Sequence, residues 1–159
     1  MGHELGFFIM MLTVFISYVG FIWAKYGVQH SISQSYYVLP DNLKRLMTVF
    51  CWGFAIPAMI IGSTALMFIA GSGIAFVGAA AAFQQKLTKW FHFAGAGIGV
   101  AAGEFAMIFN FGLWPVFAAF LAIGLPLFIF RKKIPNWIWW LEITAFVTIC
   151  IGLGIAVVF

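Results

Sequence analysis

Apolar residues occupy this chain in long blocks separated by short polar joints. Six blocks stand out, at residues 5–26, 44–62, 65–84, 90–111, 113–131 and 137–158. A helix rises about 1.5 Å per residue, so each block is long enough to cross a hydrocarbon core of about 30 Å with modest tilt. The pattern predicts an all-α fold: a polytopic integral membrane protein built as a six-transmembrane-helix bundle, with 1–159 as a single transmembrane domain. The longest polar interruption, the loop 27–43, is too short for a soluble domain of its own. The first block lacks the basic lead and small-residue cleavage site of a signal peptide, and is expected to remain as a span.

Charge orients this frame. The basic residues are Lys25, Lys44, Arg45, Lys86, Lys89, Arg131, Lys132 and Lys133, and all eight fall on the joints after the first, third and fifth spans. Short loops rich in Lys and Arg stay cytoplasmic, so both termini are expected outside, in a multi-pass protein of the cell (inner) membrane. Trp23, Tyr26, Trp90, Trp137, Trp139 and Trp140 fall at the same predicted cytoplasmic boundary and Trp114 at the outer one, as amphipathic rings prefer. Trp52 is the exception, because it lies inside the second span and its indole N–H needs a partner there.

Composition supports the membrane reading and removes other classes. The chain is 65% apolar and 8% charged, with a mean hydropathy of +1.10, far from a water-soluble domain. Its net charge of +4 comes from span ends rather than from a basic face, so the lipid bilayer is the expected partner and nucleic acid is not. Cys51 and Cys150 both fall inside spans and are expected as free thiols.

Small residues and prolines suggest how the helices meet. In the fourth span Gly95, Gly99, Ala102 and Ala106 recur at steps of four, three and four, and in the third span Gly71, Ala75, Gly78 and Ala82 do the same. Such stripes let helices approach closely, which predicts a tight hairpin of the third and fourth spans, and leaves room for a homo-oligomer or a larger membrane complex. Pro57 and Pro126 interrupt the second and fifth spans, each about 13 residues from the start of its span, which hints at a three-plus-three inverted repeat.

The chemistry-bearing candidates are few. Glu104 sits roughly 21 Å along the fourth span from Trp90, where a bare carboxylate is costly, and it is expected to be an ion or proton site or a register-fixing acid. Beside a helix kinked at Pro57 it would form a small polar pocket, with Asn110 near the outer end of the same span as helix glue or a further polar group. Glu142 begins the last span about 8 Å beyond Trp137, near the level of His92, so a contact between the two is expected as one option and snorkelling to headgroup water as the other. The loop 27–43 supplies His30, Ser31, Ser33, Ser35, Tyr36, Tyr37 and Asp41. These residues read either as an interfacial segment or as a site for an anionic substrate, with a serine, His30 and Asp41 as the enzyme alternative. No catalytic residue is assigned.

Several chemistries are excluded. An intramembrane zinc hydrolase would need more histidines facing the bundle, and the last span has none; no lysine lies away from the ends of a span for a retinal Schiff base, and phosphate-binding and dinucleotide-binding glycine motifs are missing. No metal is expected and no cofactor is named. Three functions follow: an ion- or small-solute-translocating or ligand-binding protein centred on Glu104, an enzyme acting on lipid or an anionic substrate through the loop, or a structural or regulatory subunit.

Overall fold

The computed structural model describes residues 2–80 and 86–159, and at positions 80, 86–89 and 91 the backbone only. Among the described residues the chain is helical without a strand: α1 (Gly2–Tyr26), a short α2 (Ser35–Val38), a 3-10 turn (Asp41–Leu43), α3 (Arg45–Gly62), α4 (Ala65–Ala80), α5 (Lys86–Phe109), α6 (Trp114–Ile129) and α7 (Trp137–Val158). Among the described residues four stretches are long and apolar enough to cross a membrane: Gly2–Tyr26, Asp41–Gly62, His92–Phe109 and Trp137–Val158. The third and fifth expected spans correspond to shorter apolar helices, Ala65–Ala79 and Trp114–Ile129.

Two boundaries differ from the hydrophobic pattern for backbone reasons. The block 90–111 ends as a helix at Phe109, because the chain turns through Gly112 at φ 67°, a left-handed conformation that glycine adopts without a Cβ clash. The block 113–131 ends at Ile129; the Phe130 N–H closes back on the Pro126 carbonyl. The basic joint between the third and fourth spans, with Lys86 and Lys89, lies outside the described side chains.

Successive long helices pack side by side, α1 on α3, α3 on α4, α4 on α5 and α6 on α7, while α7 also reaches α1, α3 and α5. The junction of α1, α3 and α7 is aromatic. Phe146 of α7 packs on Phe15, Phe50 and Phe54 at ring separations of 5.5, 5.5 and 4.6 Å, and Tyr18 stacks on Phe50 at 4.6 Å. Large rings here fill the space between three helices.

The α4–α5 junction works the opposite way. A methyl group on Gly73 would lie 2.6 Å from the Gly95 carbonyl oxygen and 2.9 Å from the Gly99 backbone, so the two helices are in backbone contact. The expected hairpin is present, but its α4 face is not the expected stripe. Gly71 and Gly78 turn toward Met59 and Cys51 of α3 instead. Thus α4 carries two small-residue faces, one for each neighbour. Hydrogen bonds tie down the α3 side: Thr48 Oγ1 donates to the Gly78 carbonyl at 3.1 Å, and the Trp52 indole donates to the Ala75 carbonyl at 3.1 Å. Trp52, exposed on the outside of α3, therefore finds its partner on the neighbouring helix.

Candidate functional site

Glu104 is 1% exposed. The small residues around it explain how a carboxylic acid fits at a helix junction: Ala102, Gly103 and Ala106 are buried beside it, and Gly103 faces Ile149 of α7 and Ala70 of α4. The partner comes from α7. Thr148 Oγ1 lies 2.5 Å from Glu104 Oε1, whereas the other oxygen, Oε2, is buried with no hydrogen-bond partner among the described residues. The expectation for Glu104 is a pocket beside the break at Pro57 of α3; the hydrogen-bond partner it has is a threonine of the last helix.

Counting protons shows what this arrangement can do. Thr148 Oγ1 also lies 2.9 Å from the Thr144 carbonyl and 3.0 Å from the Ala145 carbonyl of its own helix, yet a hydroxyl has one proton to give. With the acid protonated on Oε1, Glu104 donates to Thr148 and Thr148 donates to a carbonyl one turn back, a common bond for threonine in membrane helices. Only a neutral carbonyl oxygen is then left unpaired. With the acid ionised, Thr148 must donate to Oε1, and Oε2 carries charge with nothing to offset it, the costlier state in an apolar interior. The geometry therefore favours the neutral acid, with its proton on the oxygen that faces Thr148.

Glu142 is bound quite differently. Its Oε2 accepts the Ile32 backbone N–H at 2.5 Å, one of three bonds that fasten the loop after α1 to the start of α7. The Trp139 N–H donates to the His30 carbonyl at 3.1 Å, satisfying an otherwise orphaned donor in the first turn of the helix. Asn136, held at φ 55°, donates from Nδ2 to the Val28 carbonyl at 3.2 Å. The loop is therefore a packed element, with Ile32 and Leu39 buried among the helices. Glu142 is half-buried and spends Oε2 on the Ile32 N–H; among the described residues no hydrogen bond joins it to His92, which is half-buried and edge-on to the Phe93 ring.

The loop side chains form separate pairs. Tyr18 OH and Ser35 Oγ are 2.6 Å apart, and Ser35 donates onward to the Ile32 carbonyl at 2.5 Å, a buried chain linking α1 to the loop. Ser31 Oγ bonds Ser33 Oγ at 3.1 Å and accepts the Gln34 N–H at 3.1 Å. Asp41 pairs with Lys44 at 2.6 Å, whose ammonium also sits 5.5 Å from the Tyr36 ring centre. Tyr36 packs edge-on against Tyr37, which is exposed. His30 is exposed, and among the described residues no hydrogen bond links it to a serine or to Asp41. Asn110 is exposed just past α5, where its N–H closes on the Ala106 carbonyl.

Among the described residues no group of three His, Cys, Asp or Glu side chains comes together to hold a metal ion. The sequence pattern did not single out Thr148, although Thr144 and Thr148, four apart in an otherwise apolar block, mark one polar stripe on the last helix. Comparison with protein families, with curated proteins and with solved structures finds no match.

Proposed function

We propose that this chain is a six-crossing protein of the cell (inner) membrane, both termini outside, in which Glu104 takes up and releases a proton during movement of an ion or small solute. Its partner in that setting is the lipid bilayer. The observation that carries the reading is the unpartnered Oε2 of Glu104: a fully buried acid that fixed helix register alone would gain by pairing both oxygens, whereas one oxygen here is left for an exchanging proton or its carrier. A proton suits the geometry better than a metal cation, which needs a shell of several oxygen ligands.

The topology rests on charge and packing together. The loop from the end of α1 docks on the start of α7, so the ends bearing Lys25, Lys44, Arg45 and Arg131 to Lys133 share one face of the bundle, which the positive-inside rule makes cytoplasmic. The 16-residue α6 covers about 24 Å, a shortfall a bilayer meets by thinning locally.

The test is flux in proteoliposomes. With a pH gradient imposed across the vesicle, wild-type protein is expected to dissipate it, Glu104→Gln to lose at least tenfold in rate, and Glu142→Gln, which keeps an acceptor for the Ile32 N–H, to retain it. A Glu104→Gln protein as fast as wild type, or a wild type that moves no protons, contradicts the reading.

A further inference from the structure

We infer that the groove between α1 and α3 is a binding site for an anionic phospholipid, with one acyl chain in the groove and the headgroup held by Lys25 and Arg45. The groove encloses about 320 Å³. Thr13, Ser17 and Phe21 line it from α1, and Leu46, Val49 and Phe50 from α3. Its floor is the stacked pair Tyr18 and Phe50. From Thr13 to Phe21 it extends about 12 Å along α1, and it opens sideways, since Val49 is 59% exposed and Thr13 and Ser17 are exposed as well. A narrow, elongated, largely apolar trough on the outer surface of two spanning helices suits a hydrocarbon chain.

Charge at one end selects the headgroup. Lys25 lies one turn beyond Phe21, with its ammonium 5.7 Å from the Phe21 ring centre, and Arg45 immediately precedes Leu46 and is exposed. Lys44, the third cation of this corner, is already paired with Asp41. No residue lining the groove is acidic. Two cations at the mouth of an apolar trough attract a phosphate that brings net negative charge, whereas a zwitterionic headgroup adds a cation of its own.

Native mass spectrometry of the full chain in detergent, with phosphatidylglycerol and phosphatidylcholine of identical acyl chains in competition, tests this. Wild type is expected to retain one phosphatidylglycerol with roughly tenfold or greater preference. Val49→Trp, which fills the groove, should remove that copy, while Ile16→Trp, on an exposed α1 position outside the groove, should keep it. The double change Lys25→Gln and Arg45→Gln should equalise the two lipids. Ser17→Phe replaces Val49→Trp if the latter does not fold. Equal retention of both lipids by wild type, or an undiminished phosphatidylglycerol copy in the groove-filling variant, overturns the assignment.

Discussion

Glu104 and Glu142 are both acids in otherwise apolar helices, and the fold treats them in opposite ways. Glu142 is aimed at a backbone N–H of the loop after α1 and works with the Trp139 N–H and Asn136 to hold that loop on the bundle. Its oxygen answers a donor that would otherwise be stranded. Glu104 answers no donor that needs it: Thr148 has two carbonyls of its own helix within reach, and Oε2 has no partner among the described residues. The first acid is explained by what it holds. The second is unexplained by structure alone, which is why function is sought there.

The contrast breaks most visibly if each acid is replaced by leucine. Glu142→Leu strands the Ile32 N–H in a packed loop, so a loss of about 1–3 kcal/mol is expected, seen as a lower unfolding temperature and as amide exchange at residues 28–34 faster by roughly tenfold or more. Loss without faster loop exchange would show that the clamp is not what Glu142 provides. Glu104→Leu removes the contact of Oε1 with Thr148 together with an Oε2 that has no partner among the described residues, and leaves Thr148 bonded within α7, so the two losses offset and stability should change by less than about 1 kcal/mol in either direction. A large destabilisation there would make Glu104 a structural acid after all, and erase the difference between the two.

Much of this was legible from spacing and polarity. Hydrophobic blocks mark the helices because an apolar run has one low-energy arrangement in lipid, with backbone groups bonded within the segment, and a lone glutamate deep in such a run announces its own cost. The partner of each feature was not legible. The stripe of Gly71 and Gly78 on α4 shows that some helix comes close, but a one-dimensional spacing carries no direction, and it is α3 that fills it while Gly73 meets α5. Thr148 escaped notice because threonine is unremarkable in a membrane helix until an acid 44 positions away is brought against it. The loop 27–43 reads as a solvated interface by composition, yet Ser31, Ile32, Ser35 and Leu39 are buried, since the loop closes on the start of α7, where the His30 carbonyl takes the Trp139 N–H and the Val28 carbonyl the Asn136 amide.

The central claim is that Glu104 exchanges a proton although it is buried. Infrared difference spectroscopy of the protein in liposomes, between acidic and alkaline buffer and with Glu104→Gln as the reference, reads that group alone. A carboxylic-acid carbonyl band present at low pH, lost on alkalinisation and missing in Glu104→Gln is the expected result. A Glu104 band that stays unchanged across the whole pH range would mean a permanently neutral acid pinned to Thr148, and would contradict the account.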